Sequence, residues 1–378
     1  MATPAPPNAG QTVLNDLVPH YGFNQPLANW PIWPLCGYGL RYVNDDDPFQ
    51  PGRMGQLLVG KDKDAAGDAY FMAMKKRRDE RFGVTIRDNL VQSSFEEHLR
   101  MAKDLHSKTN ALKIHPPPGQ AGQILDLMFA PGGLLYHALR VNKDIKTRGL
   151  AYTLPESQGG QRDFLGSSTD GKVIKRFADI TTLQGGELED FPLKIPTPEW
   201  KSLSKDQSGN HQYDLVICDG YALPAQANKP GRLGRERHRL LATQMCLAIQ
   251  YVRQGGTIIM TMRRVEDWDC LSVFKSLRRY STMTFYKPTN CHTELSMFYL
   301  VAKNVRFKQG DREHELRNWG GLYRGAMVPP EDEAFWFAAL SRHNSHQAVV
   351  AKKCHKEIRV LAKEVWKTQL DAMDIYTH

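Results

Sequence analysis

Residues 126–133 have the sequence DLMFAPGG, and this stretch decides the fold of the chain. The apolar run QILDLMFA (123–130) predicts a buried strand, and GLLYHALRV (133–141) predicts a helix directly after the turn. Glycines at such a turn let the backbone approach a ligand closely, and a helix N-terminus presents free N–H groups. We therefore expect a ligand at the carboxyl edge of an open α/β sheet. The GxGxxG spacing of dinucleotide sites is absent.

Short apolar runs alternate with helical stretches on the C-terminal side of this turn. Two closing strands, 282–288 and 297–304, are joined by a short link. This alternation predicts an α/β fold whose mostly parallel sheet has helices on both faces and an antiparallel terminal strand pair. The other predicted strands are TRGLAYTL (147–154), KVIKRFADI (172–180), YDLVICDG (213–220) and GGTIIMTM (255–262), with helices at 235–254 and 267–280.

The flanks of this α/β region differ from it in composition. Residues 1–60 are rich in Pro, Gly, Asn and Trp and predict an irregular N-terminal segment, whereas 61–113 have the pattern of amphipathic helices. The breaker segment IHPPPGQAG opens the α/β domain, for which we expect bounds of 114–304. Residues 305–378 predict a helical extension, because apolar residues recur at spacings of three and four from Val350 to Val365.

The composition limits the classes of protein to which the chain can belong. It has 378 residues, 41% of them hydrophobic, and a formal net charge of +9, which favours an acidic partner such as RNA. No apolar run is long enough for a bilayer, and the N-terminus lacks the pattern of a secretory signal. The six cysteines form no CxxC pair, so no metal site is predicted. We expect an intracellular protein, cytoplasmic or nuclear.

Four more motifs follow the glycine turn. The strand at 213–220 ends in Asp219 and Gly220, and the strand at 172–180 brings Asp179 to its end. A Gly-Gly pair at 255–256 precedes the fifth strand, and Lys287-Pro288 lies between the two closing strands. In order and spacing, across 124–303, these motifs resemble those of the FtsJ-type ribose 2′-O-methyltransferases, which use S-adenosylmethionine (SAM).

This resemblance implies a Rossmann-like SAM methyltransferase domain and a set of site residues. Asp219 would be catalytic, because in the family the acid at this position faces the methyl group. The acid that holds the ribose in the family aligns with Tyr152 here, and Glu156 is a possible substitute. The residues implied to hold SAM are Asp126, Ala130, Pro131, Gly132, Gly133 and Asp179.

The Lys-Asp-Lys-Glu tetrad of the family is matched only in part. A ribose hydroxyl is a very weak acid, and a lysine with a lowered pKa can take its proton. The first lysine belongs on the helix before the glycine turn, where Lys108 is the candidate and Lys103 the alternative. Thr261 stands in place of the second lysine, and Met297 in place of the glutamate, with Glu294 three residues earlier.

Basic and aromatic residues near Asp219 are candidates for binding the substrate. Tyr221 could stack on a base, and Arg232 and Arg235 follow the same strand in a basic run. Arg263, two residues beyond Thr261, could bind phosphate, but an arginine could not serve as a base.

The partial tetrad leaves three hypotheses open. In the first, the chain is a SAM-dependent methyltransferase that acts on RNA. The second is a degenerate methyltransferase fold that binds RNA or serves as a scaffold. The third is a small-molecule methyltransferase, because a nitrogen or phenol acceptor needs a weaker base than a ribose hydroxyl does and SAM already supplies an activated methyl group.

Overall fold

The three-dimensional structure is a computed structural model. It describes residues 87–166, 169, 171–183, 212–221, 235–263, 265, 268–293, 297–327, 336, 338–340 and 347–374. The predicted N-terminal segment 1–60 and the first predicted helix of 61–113 lie outside these ranges. So do Arg232 and Glu294.

The elements of the described chain follow the predicted alternation. Within these ranges, no helix combines the length and apolar character needed to cross a bilayer. The strands are β1 (Gly122–Asp126), β2 (Thr147–Thr153), β3 (Val173–Phe177), β4 (Tyr213–Cys218), β5 (Val252–Met262), β6 (Thr282–Tyr286) and β7 (Phe298–Val305). The α-helices are α1 (Arg87–Thr109), α2 (Gly133–Val141), α3 (Glu236–Tyr251), α4 (Trp268–Arg278), α5 (Gln309–Met327) and α6 (Gln347–Asp374).

The strands form one seven-stranded sheet in the order β3-β2-β1-β4-β5-β7-β6. The pairs from β3 to β5 are parallel, and β7 runs antiparallel to both β5 and β6. The predicted fold class, including the antiparallel terminal pair, is confirmed. Because the strand order reverses between β1 and β4, the carboxyl ends of these two neighbours form the switch point at which such sheets bind ligands.

The apolar sequences of the central strands follow from their burial on both faces. Every residue of β1 and of β4 is buried, as is typical of parallel strands covered by helices on each side. The core has two parts, one on each face of the sheet. The larger part includes α3, α4 and α5, and the smaller part includes α1 and α2.

Helices α1 and α2 pack unusually closely where α2 begins. A Cβ atom on Gly133 would lie 2.5 Å from the carbonyl carbon of His98 and from the amide nitrogen of Leu99. At the other end, the buried Asn142 side chain donates to the carbonyls of Leu112 and Ala138, and its oxygen accepts from the amide of Ile114. These contacts fix α1 against the start of α2 and therefore against the glycine turn.

The C-terminal extension packs on the sheet domain. Helix α5 lies in the region 305–378 that was predicted to be helical, although its own bounds were not predicted. Its buried Trp319 donates to the Ser276 hydroxyl at 2.9 Å, and Ser276 donates to buried Glu315 at 2.7 Å. Helix α6 was predicted, and its Cys354, Ile358 and Val365 are buried as one stripe against β6 and α4.

The close approach at Gly133 generates a stability prediction. Gly133→Ala should destabilise the fold by roughly 1–3 kcal/mol, because the α1 backbone has to move away from the added methyl group. For a domain of this size, each kcal/mol lowers the melting temperature by about 2–4 °C.

Gly321→Ala is the matched control, since Gly321 lies inside α5 with nothing within 4 Å of its would-be Cβ. It should stabilise the protein by roughly 0.5–1 kcal/mol, because alanine favours a helix interior. Thermal denaturation of both variants tests this. Equal melting temperatures would show that α1 does not rest on Gly133.

Candidate active site

The carboxyl edge of the sheet brings the two principal predicted carboxylates together. Asp126 is the last residue of β1, and Asp219 follows the last residue of β4, its parallel neighbour. Asp219 acts electrostatically on Asp126, since its charge contributes to raising the pKa of Asp126. Gly132 and Gly133 begin α2 at the same edge, so the glycine turn and Asp219 lie at the same end of the sheet, as the sequence predicted.

The glycine turn is enclosed by a segment from the loop after β2. Gly132 has a φ of +113°, in the left-handed region that favours glycine, and its would-be Cβ would lie 2.7 Å from the Leu165 side chain. The amide of Phe164 donates to the carbonyl of Pro131 at 3.2 Å, and Ala130 remains half-buried. Gly132 thus admits a protein side chain on one side of the turn.

Asp126 fixes the backbone of the glycine turn. Its side chain is buried, and one oxygen accepts from the amide of Met128 at 3.2 Å. Burial first, and then the charge of Asp219, raise the pKa of this carboxyl well above its usual value. The pair is therefore an environment in which a cationic group would be stabilised.

Asp219 is held from two sides. Thr261 of β5 donates to one carboxylate oxygen, and the Gln244 side chain both donates to the carbonyl of Gly220 and accepts from its amide. The Asp219 side chain is 10% exposed, and burial raises its pKa to about 7, against the lowering effect of the Thr261 hydrogen bond. A carboxylate with a pKa near neutrality is suited to general acid–base chemistry.

His98 is a site residue that the sequence analysis missed. Its Nδ1 lies 3.8 Å from the second carboxylate oxygen of Asp219, and its side chain is 16% exposed. Burial, followed by the charge of His292, lowers the pKa of His98 to about 4, so the imidazole is neutral at pH 7. The sequence signal was the apolar face of α1, which contains His98 one turn before Ala102 and two turns before Leu105.

Tyr299 of β7 also belongs to this group and was missed. It is fully buried, its phenol interacts with Thr261, and its hydroxyl lies 3.9 Å from the Met101 sulfur. Burial and the charge of Asp219 raise its pKa, so it stays a neutral phenol. Tyr299 lies directly opposite Thr261 in the antiparallel pair of β5 and β7, and so helps to position it.

The structure does not bring the predicted lysines to Asp219. Lys103 follows His98 by five residues, which places it about 140° around the helix from His98. Lys108 follows His98 by ten residues and lies about 15 Å further along the helix axis. Both side chains are exposed, and their charges act on His137 and on Asp104 respectively. The helix position facing Asp219 is that of His98.

Asp179 lies where β3 ends, as predicted, and it also has a structural role. One carboxylate oxygen accepts from the amide of Thr181 at 2.9 Å and from its hydroxyl at 2.6 Å, which caps a short 3₁₀ helix. The Thr181 hydroxyl is bound in turn by the buried Arg239 guanidinium. An adenine contact through Asp179 stays a prediction.

The two candidates for the ribose position differ in placement. Tyr152 is 1% exposed and lies in the core near Tyr213 and Tyr251, so its hydroxyl points away from the crevice. Glu156 is exposed in a short 3₁₀ helix just after β2. Of the two, Glu156 is the one accessible to a ligand.

The basic run after β4 is used mostly by the fold. Arg235 is 5% exposed and stacks 5.8 Å from the ring centre of Trp336, so the prediction that it contacts substrate is not supported. Arg237 pairs with Asp269, and Arg239 binds Thr181. The partners of these three cations lie in the C-terminal extension, in α4 and in the 3₁₀ helix after β3, respectively.

The end of the site nearest solvent contains Tyr221 and Arg263. Tyr221 is 46% exposed two residues beyond Asp219, and its hydroxyl accepts from the Gln161 amide at 3.0 Å. Arg263 is exposed just after β5, two residues beyond Thr261. Their roles as substrate-binding residues stay predictions.

Met297 occupies the expected glutamate position and packs against the smaller core part. The buried Lys287 ammonium donates to the carbonyls of Met297 and His292, each at 2.8 Å. It therefore fixes the loop that carries His292 beside α1.

SAM fits this crevice on chemical grounds. Two adjacent buried carboxylates, each with a raised pKa, would be stabilised by the positive charge of a sulfonium. Asp126 and Asp219 would face that charge, and the turn from Ala130 to Gly133 would border it. When bound, SAM supplies an activated methyl group, and this chain's residues supply alignment and proton transfer.

A mostly parallel sheet with an antiparallel β7, and a carboxylate pair at its switch point, define the class of SAM-dependent methyltransferases. The sequence profile of the FtsJ-like methyltransferase family matches residues 103–305, which is more than half of the chain. The chain belongs to this family, as its motifs predicted. No curated protein matches its sequence significantly.

Several solved structures are similar in fold. One, described as a ribosomal RNA methyltransferase from Plasmodium falciparum, has 18% identity and a TM-score of 0.36, covering 56% of this chain and 97% of that chain. An rRNA methylase from Streptococcus thermophilus has 12% identity and a TM-score of 0.31, covering 59% and 100%. The apo S-adenosylmethionine-dependent methyltransferase SibL has 11% identity and a TM-score of 0.35, covering 67% and 74%.

The burial of Asp219 predicts a pH-dependent stability. Because its pKa is raised in the folded state, Asp219 does not lower the free energy of unfolding below pH 3.8, where it is protonated in both states. Above that pH the loss of stability grows until about pH 7. That shift corresponds to at most about 4 kcal/mol, at about 1.36 kcal/mol per pKa unit. Asp219→Asn should therefore melt several degrees above the wild type at pH 8 and show little difference at pH 4.

Asp144→Asn is the control, because Asp144 is exposed in the turn after α2. Its melting temperature should follow that of the wild type at every pH. Differential scanning calorimetry from pH 4 to 8 measures both variants. A gap between Asp219→Asn and the wild type that does not widen with pH would contradict the buried carboxylate.

Proposed function

We propose that the methyl acceptor of this methyltransferase is RNA, and that the methylated atom is a ribose hydroxyl. The observation that carries the proposal is the exposed ring of Tyr221, two residues from the buried Asp219 carboxylate. An unpaired base stacked on that ring would bring its own or the neighbouring ribose close to Asp219. RNA is recognised by this kind of stacking of unstacked bases on aromatic side chains.

A second exposed ring lies on the same edge. Phe177, the last residue of β3, is 55% exposed and packs edge-on against Phe129 of the glycine turn. Because β3 and β4 are three strand spacings apart, the strands that carry or precede Phe177 and Tyr221 lie roughly 14 Å apart. Two platforms at this separation suit an extended strand of several nucleotides better than a small molecule, which would be enclosed in a pocket.

Charge supports the same acceptor. The chain carries a formal net charge of +9, and exposed cations lie at the carboxyl edge: Arg176 in β3 and Arg263 after β5. Phosphate neutralisation supplies much of the affinity of proteins for nucleic acid. The resemblance of the motifs to FtsJ-type enzymes favours ribose 2′-hydroxyls over base nitrogens.

The test is transfer of a tritiated methyl group from SAM to RNA. We expect label in total RNA and none in DNA of matched length, because the acceptor is the 2′-hydroxyl. Alkaline hydrolysis should leave the label in alkali-resistant dinucleotides, since a methylated 2′-oxygen cannot attack the adjacent phosphate. Label in mononucleotides would indicate a base acceptor and contradict the proposed atom. Label in small molecules alone would contradict RNA.

Tyr221 provides a sharper test of the stacking. Tyr221→Ala should raise the KM for RNA at least about 5-fold, because stacking on an aromatic ring contributes about 1–3 kcal/mol per base. Tyr221→Phe is the matched control, since it keeps the ring and removes only the hydrogen bond with Gln161. Steady-state kinetics with labelled RNA measure both. Equal KM values for Tyr221→Ala and Tyr221→Phe would rule out stacking.

A further inference from the structure

We propose that His98 is the catalytic base of this enzyme, occupying the place where the family resemblance leads one to expect a lysine, and that Asp219 holds its imidazole. The inference rests on the proposed hydroxyl acceptor. Its basis is the position of His98, between the close α1–α2 contact at Gly133 and the carboxylate at the end of β4.

The two ring nitrogens of His98 are in different surroundings. Nδ1 faces an Asp219 oxygen at 3.8 Å, whereas no residue in the described part of the chain forms a hydrogen bond with Nε2. A carboxylate beside Nδ1 favours the tautomer with a proton on Nδ1, which leaves the lone pair of Nε2 to accept a proton. The same division of roles orients the histidine in Ser-His-Asp enzymes.

The charged groups around His98 come from four elements. Asp219 follows β4, with Asp126 of β1 beyond it, and His292 approaches from the loop after β6. Glu97, next to His98 on α1, lies 3.8 Å from His292. Tyr299 adds no charge, because burial keeps its phenol neutral. An imidazolium formed at His98 would therefore have the Asp219 carboxylate 3.8 Å from its Nδ1.

The lysines of the region cannot replace His98 in this role. Lys103 and Lys108 are turned or displaced from Asp219, as described above. Lys287 is buried nearby, but its ammonium is held by the carbonyls of His292 and Met297. An ammonium bound to two carbonyls is stabilised in its charged form, so it is a poor proton acceptor.

The proposed step balances in atoms and charge. His98 Nε2 accepts the proton of the 2′-hydroxyl while the oxygen–methyl bond forms and the sulfur–methyl bond breaks. The positive charge that leaves sulfur reappears on the His98 imidazolium, beside the Asp219 carboxylate. Because the pKa of Asp219 is about 7 and that of His98 is about 4, the Nδ1 proton then passes to the Asp219 carboxylate, which leaves both groups neutral.

Kinetics of His98 variants on labelled RNA test the catalytic role. His98→Gln should lower kcat at least about 100-fold, the usual contribution of a general base, with the Kd of SAM and the KM of RNA changed less than threefold. His98→Ala should recover at least about tenfold in rate with added imidazole. His106→Gln, two turns further along α1, is the control and should keep the wild-type kcat.

These kinetics can also overturn the inference. A kcat for His98→Gln within threefold of the wild type would exclude His98 as the base. A loss of rate in His98→Ala that imidazole does not restore would assign it a structural role only.

Nitrogen NMR of the substrate-free protein separates this inference from the proposed function. The His98 resonances, assigned by their loss in His98→Gln, should show an Nδ1-protonated imidazole at pH 8, and Asp219→Asn should shift them. Unchanged His98 resonances in Asp219→Asn would overturn the pairing whether or not RNA is methylated. Absence of transfer to RNA, with the NMR result intact, would instead overturn the proposed acceptor.

Discussion

The site depends on one steric constraint, the absence of a side chain at Gly133. Because nothing projects from this position, the backbone of α1 passes within contact distance of the start of α2. That approach places His98 beside Asp219, a residue that belongs to a different strand and lies 121 positions later in the chain. The glycine pair is therefore needed for helix packing as well as for any ligand, and Gly132 makes room for Leu165 in the same way.

The second constraint is the burial of negative charge. Asp126 and Asp219 lie close together where water is scarce, and the pKa of each is raised. Hydrogen bonds from the amide of Met128 and the hydroxyl of Thr261 offset only part of the free energy lost by burying these carboxylates. Such a site lowers the free energy of unfolding as long as no cation is bound. The carboxylates that take part in catalysis are therefore also the ones that set the affinity for a sulfonium.

The sequence was sufficient for the fold because the signals there are local and periodic. The buried runs of β1 and β4, the glycine turn and the stripe of α6 each predicted their element, and the order of motifs predicted the sheet edge. Helix α5 falls within the extension that was predicted to be helical, but its own bounds were not predicted. In the site, Asp219 follows from its strand, but His98 does not, because no spacing in the sequence tells which turn of α1 meets Gly133. Arg235 was misjudged for a related reason, since its partner Trp336 lies 101 residues away.

The edge strand β3 also bears on how the molecule behaves at high concentration. Among the described residues it is the outermost strand on its side of the sheet, and it carries the exposed Arg176 next to Lys175, which pairs with Asp163 at 2.6 Å. A second copy that tried to extend the sheet there would bring like charges into register, which opposes strand addition. On the far side, β6 is contacted by α6. Both margins of the described sheet therefore carry a feature that opposes strand addition, even though its central strands are strongly apolar.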